Sequence, residues 1–289
     1  FTSATDSYNT GVGYAAGAAV TTGIYNTLIG GLAGLSLTDA DENTAIGLGA
    51  LQSDTKGSKS VAVGRLTLGS QNFTNATDTY NTGLGYHAGK SVTTGIRNTY
   101  IGALAGDGTT DADHNVAVGF DALSTNQLGS KSTAVGTDCL TAQNPSSAAV
   151  MFNTAMGYYA GVTVSTGTQN TLMGAEAGMS ITTGTENVAI GVFAGSSNGS
   201  STNGITTGTA NIAIGLGAMA GDGTAVTGNN NIAIGRYAGQ KFTSSIDNIA
   251  VGKSAGQALT TGSNNTFVGS NAGDGTDDGV DNTAVGKGA

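Results

Sequence analysis

Two short stretches carry residue types that perform chemistry in other settings. Gly252-Lys253-Ser254-Ala255-Gly256 has the Gly-x-Ser-x-Gly spacing that exposes a serine nucleophile when it sits on a sharp strand-to-helix turn. Gly85-Tyr86-His87-Ala88-Gly89-Lys90-Ser91 has the glycines and the Lys-Ser pair of a phosphate-cradling loop, but is one residue short. Both lose their meaning once the chain is aligned on itself. Gly-x-x-Ala-Gly recurs along it, as in Gly30-Gly31-Leu32-Ala33-Gly34, and Ser254 stands in a slot that elsewhere holds Leu32, Asp121 or Tyr237. No catalytic residue is expected, and the chain reads as a non-enzyme.

The remaining reactive side chains are few. Cys139 occupies a slot that alanine fills in most copies, which suits a small buried filler rather than a reactive thiol. His87 and His114 lie at non-repeating positions, so neither a metal pair nor a general base is expected. Acidic turns are richer in ligand atoms. Asp39 and Asp41 with Glu42, Asp111 with Asp113, and Asp274 with Asp277, Asp278 and Asp281 sit in Gly- and Thr-rich turns. Calcium binds such oxygens, and it is the candidate cofactor at Asp39, Asp41, Asp111, Asp113, Asp274 and Asp277. The nonapeptide spacing of calcium rolls is missing, so solvated turns that bind no cofactor are the expectation. Tyr8 with Tyr14, Tyr80 with Tyr86 and Phe152 with Tyr158 recur 72 residues apart. They would form either a ligand-stacking array for sugars, at intervals of roughly 19 Å if four rungs separate them, or aromatic braces at an insertion or a subunit contact.

The element that places all of these is a repeat. An Asn-x-x-aliphatic-Gly unit puts a glycine at 13, 30, 47, 64, 85, 102, 119, 136, 157, 174, 191, 215, 235, 252, 269 and 286. These sixteen copies have a base period of seventeen, lengthened at four joints, and a longer period of 72 marks a duplicated four-copy block. The aliphatic residue before the glycine (Ile29, Ile46, Val63, Ile190) alternates with Thr, Val or Ile two residues earlier. That is the period of a short strand, and the aliphatic row, Ile46 and Ile190 included, is expected to face inward. The glycine, Gly47 or Gly191 for example, permits a turn that a Cβ would obstruct. Three residues on, a small residue such as Ala50 or Ala194 opens what reads as a second, weaker strand, exemplified by Ala16, Ala18 and Val20. A Thr-Thr-Gly turn closes the copy. The asparagine that opens each copy (Asn43, Asn187), replaced by Ser60 and Ser132 at two joints, should stack into an amide ladder.

Two strands and two turns per seventeen residues make one rung of an all-β fold, a parallel β-roll or β-solenoid of about sixteen rungs, spanning on the order of 75 Å. The pattern runs as a single continuous repeat domain over 1–289, with insertions near 69–80, 141–152, 196–210 and 220–230, where recognition loops are expected. Neither end reads as a polar cap, so either more protein follows or copies stack head to tail into a filament. Composition agrees: 49 glycines, one proline, no tryptophan and 6% aromatics do not describe an ordinary core. A net charge of -9 with ten basic residues argues against nucleic acid and anionic membrane surfaces. No apolar run is long enough for a spanning helix.

Asn43-Thr44-Ala45-Ile46-Gly47, Ser60-Val61-Ala62-Val63-Gly64 and Asn187-Val188-Ala189-Ile190-Gly191 resemble the head repeats of trimeric autotransporter adhesins. The longer unit Asn170-Thr171-Leu172-Met173-Gly174-Ala175-Glu176-Ala177-Gly178 looks like repeats of phage tail fibres and bacterial surface proteins. The resemblance covers the whole chain and implies a left-handed β-roll built as a homotrimer, extracellular on a cell surface or virion, with a host glycan or receptor as its partner. The rung here is longer than in the adhesin heads.

Overall fold

A computed structural model describes residues 6–197, 200–275 and 277–289. Among them there is no helix; the repeat becomes a parallel β-solenoid of about sixteen turns. The chain divides into two compact units, Phe1–Thr137 with Asn144–Val150, and Asp138–Gln143 with Met151–Ala289. In the first, eight three-residue strands run from Thr10–Val12 to Thr133–Val135; in the second, eight run from Thr154–Met156 to Thr283–Val285.

Within each unit every strand pairs in parallel with its equivalent on the next rung. Leu28 faces Ala45, and Ile29 faces Ile46. Insertions leave this register untouched. Val61 pairs with Thr82 across a joint lengthened to 21 residues, and Val188 pairs with Ile212 across one of 24. The extra residues therefore leave the ladder at the turns, as an inserted loop must if the strand pairing is to survive.

The inward and outward rows are the reverse of the expectation. In Thr44–Ile46 the buried residue is the middle one, Ala45, while Thr44 and Ile46 are only half-buried. The same holds for Leu28, Ala62, Tyr100, Ala189 and Phe267, all buried between less buried neighbours. The reason is room. Behind the strand, the opposite limb already delivers Leu51, Leu68, Leu123 and Leu140 into the interior, so an aliphatic row on the inner strand face would overfill it.

That limb is not a second strand. After the repeat glycine the chain alternates between ordinary and left-handed backbone: Leu32 has φ 61°, Gly34 φ 57°, and the equivalents Leu104 and Gly106 have φ 61° and 58°. Every second N–H bonds to a neighbouring rung, while those between bond within the rung, as Ala33 does to Gly30 O (3.3 Å). Leu32 donates to Tyr14 O (2.8 Å) on the rung before, and Gly34 to Ala50 O (2.9 Å) on the rung after. Left-handed backbone costs a non-glycine residue about 1–2 kcal/mol, and this inter-rung ladder is what holds Leu32 there.

Packing inside a rung follows a volume rule. The strand-centre residue and the residue six positions later share one space, and at most one of them is large. Leu28, Tyr100, Leu172 and Phe267 are matched by Gly34, Gly106, Gly178 and Gly273. A Cβ on Gly106 would stand 2.3 Å from the Tyr100 ring. Conversely Leu51, Leu68, Leu123, Leu140 and Met219 are matched by Ala45, Ala62, Ala117, Ala134 and Ala213.

A buried asparagine ladder fixes the rung-to-rung offset. Asn26 Oδ1 accepts from Asn43 N–H (3.0 Å), and its Nδ2 donates to Ala40 O (2.8 Å); Asn187 does the same with Asn211 N–H (3.0 Å) and Gly208 O (2.8 Å). The contact is therefore amide to backbone at every such step, with direct amide-to-amide bonds added at some rungs, as from Asn265 Nδ2 to Asn248 Oδ1 (3.0 Å). Where Ser60 interrupts the ladder, Gln71 takes over: its Oε1 accepts from Asn81 Nδ2 (2.9 Å) and its Nε2 donates to Ser60 Oγ (2.9 Å) and Asp54 Oδ2 (2.5 Å). Asp54 is fully buried, and its Oδ1 accepts from the N–H groups of Gly57 and Phe73, both at 3.0 Å. A buried carboxylate is tolerated there because its lone pairs are occupied.

Candidate functional site

Turning the aliphatic row outward creates the most regular exposed feature of the molecule. In the first unit Val12, Ile29, Ile46, Val63, Leu84 and Ile101 form one line, one residue per rung, with Leu84 47% exposed. In the second unit Met156, Met173, Ile190, Ile214, Ile234 and Val251 do the same, with Met173 40% exposed. Beside each line runs a second made of Thr27, Thr44 and Val61, or of Val188, Ile212 and Ile232. At about 4.8 Å per rung and three residues of width, eight rungs present a strip on the order of 300–400 Å². The aliphatic line is the apolar part of that strip, beside a line that is mostly threonine in the first unit and mostly aliphatic from Val188 to Ile249 in the second, and continuous apolar rows of this kind mark candidate contact sites.

The turn that ends each strand of the strip depends on the glycine column. Gly47 has φ 132° and a Cβ on it would stand 2.5 Å from Gly64 O; Gly191 has φ 125° and would place one 3.0 Å from Gly215 O. Only glycine suits both the angle and the approach. Asn43, Asn187, Ala50 and Ala194 are fully buried, so together with the column they shape the rung, and Ile46 and Ile190 belong to the strip.

The other singled-out residues are dispersed. Ser254 has φ 55° and its N–H donates to Arg236 O (2.9 Å), one more member of the curled limb. The segment after Gly85 continues into turns, with Lys90 N–H bonded to His87 O (3.0 Å). The His87 ring stacks on Tyr86 at 3.8 Å. Burial, then the positive charges of Lys90 and Arg65, hold its pKa below the ordinary imidazole value. His114 Nε2 lies 3.2 Å from an Arg97 guanidinium nitrogen, and Cys139 is fully buried.

The acidic turns spend their oxygens on the next rung. Asp41 Oδ1 accepts from Ile24 N–H and Asp113 Oδ1 from Ile96 N–H, both at 2.8 Å. Asp111 accepts from the hydroxyls of Thr93 and Thr94, which lower its pKa. Asp39 pairs with Lys56 at 3.7 Å, Asp277 accepts from Thr260 Oγ1 (2.8 Å), and Asp274 is exposed. Among the described residues no group of three or more His, Cys, Asp or Glu side chains converges as a metal site.

All six register aromatics lie on the surface; Tyr14, at 83%, is the most exposed. Tyr8 stacks on Tyr25, with ring centroids 5.5 Å apart, and Tyr158 lies against Tyr159 at 4.2 Å. Tyr80 donates to Asp78 Oδ2 (3.2 Å) beneath the Lys59 ammonium, while Tyr86 accepts from Arg65 (3.3 Å) and Phe152 is exposed. Tyr8, Tyr80, Tyr86 and Tyr158 are thus fastened to their own neighbours.

Sequence reasoning missed two features. The Gln71 relay had a signal, since Ser60 and Ser132 are each followed eleven residues later by Gln71 and Gln143. The other is a groove beside the insertions at 196–210 and 220–230. Ser196–Ser197 pairs antiparallel with Ser200–Ile205, which pairs in parallel with Ala225–Val226. Both insertions thus join one small sheet, and the groove beside it is lined by Phe193, Leu216, Gly217, Asp222, Tyr237 and Gln240. Compared with known proteins, the chain matches no family model, and no curated protein is significantly similar to it.

Proposed function

We propose that this chain is a non-enzymatic, fibre-like structural protein of the surface-adhesin or phage tail-fibre kind, which assembles as a homotrimer through its outward strand strip. The observation that carries the reading is the strip itself. Aliphatic residues recur at the same outward position on every rung, where solubility alone would favour polar ones. A strip of one residue type, repeated at rung spacing, is complementary to another copy of itself. Three copies closing about one axis would bury each strip and leave none open. The role places the protein outside the cell or on a virion. Its insertions at 69–80, 141–152, 196–210 and 220–230 are the segments that would present attachment surfaces.

Sedimentation velocity at micromolar concentration tests this. The expected species has three times the mass of the 28.1 kDa chain. The double variant Ile29→Lys with Met173→Lys should sediment as a single chain with an unchanged circular dichroism spectrum. A wild-type monomer, or filaments that lengthen with concentration, would refute the trimer.

A further inference from the structure

We propose that the groove beside the insertions at 196–210 and 220–230 is a binding site for a neutral saccharide. It has a volume of about 360 Å³, at the small end of ligand sites, which run from about 300 to 1,000 Å³, and suits one or two sugar rings. Its origin is local. In the curled limb, the position two residues after the repeat glycine carries Phe193, Gly217 and Tyr237 on three successive rungs. Most rungs have a side chain there. Its omission at Gly217 opens a slot, and Tyr237 leans into the vacated space: a Cβ on Gly217 would stand 2.7 Å from two Tyr237 ring carbons. The floor is therefore backbone, and the walls are Phe193, Leu216 and Tyr237.

Polar groups stand along the same groove. Asp222 sits at the tip of the tight turn Gly221–Thr224, held by Thr224 N–H to Gly221 O (2.6 Å) and Gly221 N–H to Gln240 O (2.8 Å). Its own φ is 23°, and Gly221 and Gly223 on either side have φ 78° and 91°. Gln240 Oε1 is occupied by Gln257 Nε2 (2.6 Å), so Gln240, which lines the groove, has its NH₂ rather than its oxygen to offer a ligand. Arg236 stacks over the Tyr237 ring at 4.9 Å and keeps it in place.

A pyranose matches this combination. Its C–H face stacks on an aromatic ring, while adjacent hydroxyls donate to a carboxylate and accept from an amide. Asp222 and Lys241, 3.9 Å apart, offset each other and Arg236 is engaged on the Tyr237 ring, so the groove holds no cluster of free positive charge that would select phosphate, sulfate or carboxylate ligands. A purely apolar ligand would leave Asp222 and Gln240 desolvated without a partner.

The proposal rests on the fibre reading for the biological source of the sugar, but its test is separable. An array of immobilised neutral mono- to trisaccharides, with sialylated and sulfated glycans beside them, is probed with the whole chain. Binding to at least one neutral glycan is expected. Tyr237→Ala should weaken it by about tenfold or more; alanine already stands at this slot as Ala15, so the variant should keep the fold. Asp222→Asn should weaken it less. Ile29→Lys with Met173→Lys should retain binding per chain, which separates failure of the trimer from failure of the site. Absence of any neutral ligand, a preference for the anionic glycans, or equal binding by Tyr237→Ala would overturn the proposal.

Discussion

The strand centre and the residue beside it obey opposite rules. Along the first unit the buried centre runs Leu28, Ala45, Ala62, Gly83, Tyr100, Ala117, while its outward neighbour runs Ile29, Ile46, Val63, Leu84, Ile101, Val118. The interior varies from glycine to tyrosine, and the exterior barely varies at all. In an ordinary domain the core holds the steadier apolar residues, because it is the part that must pack. Here the core position can vary because on many rungs a second site, six residues later, makes up the difference, and where both are small, as at Gly83 with Gly89, Leu68 and Tyr100 of the neighbouring rungs reach into the space. The outward position has no such partner within its unit, so its uniformity points to a contact that is the same at every rung.

The largest effect expected separates the two rows directly. Leu28→Asp buries a charge with no partner, and should cost about 4 kcal/mol or more, enough to melt the neighbouring rungs. Ile29→Asp, one residue away and 36% exposed, should cost the isolated chain only about 1–2 kcal/mol, from partial burial and strand propensity, while weakening self-association. Urea denaturation at a concentration where the chain is monomeric measures both. Similar losses from the two variants would mean that the rows are not distinct.

The comparison also shows what the sequence could and could not convey. The period, the glycine column, the parallel register and the asparagine ladder were legible because each needs one residue type at one spacing. Gly47 has no substitute at its backbone angle, and the slot of Asn43 is otherwise filled only by serine, at 60 and 132. The direction of the strand was not legible. Three residues such as Thr44-Ala45-Ile46 fit either face, and β-branched character favours a strand without saying which side of it is buried. The second limb was misread because Ala16, Ala18 and Val20 alternate as a strand would, while Leu32, Tyr159 and Glu176 give no sign of the left-handed backbone they adopt at φ 57–61°. Among the candidate sites, the motif around Ser254 could be discounted from the repeat alone. The groove at Tyr237 could not be foreseen, because its central feature is an absent side chain at Gly217.

The volume rule offers a medium-sized test. Ala45→Leu adds bulk against Leu51 and should destabilise by about 1–3 kcal/mol. Adding Leu51→Gly copies the Leu28 and Gly34 arrangement found one rung earlier. Leu51 already has φ 49°, so glycine meets no backbone obstacle there, and the double variant should recover most of the loss. A thermodynamic cycle reads the coupling, and simple additivity would show that the two positions do not share a space.

The smallest effect expected bears on the outer row. Thr44 occupies the position held by Val61 and Val116 on other rungs, and both arrangements leave the strand register unchanged. Thr44→Val should therefore alter the stability of the isolated chain by within about 0.5 kcal/mol, since it swaps one half-buried β-branched side chain for another. If the strip is an interface, however, the same substitution removes a hydroxyl that must lose water on contact, and the trimer should dissociate at a lower chain concentration than before is reached. Sedimentation equilibrium across a dilution series measures that shift. Weaker association, with unchanged stability of the single chain, would mean that the threonine hydroxyls make specific bonds across the contact and that the outer row recognises by polarity as well as by shape.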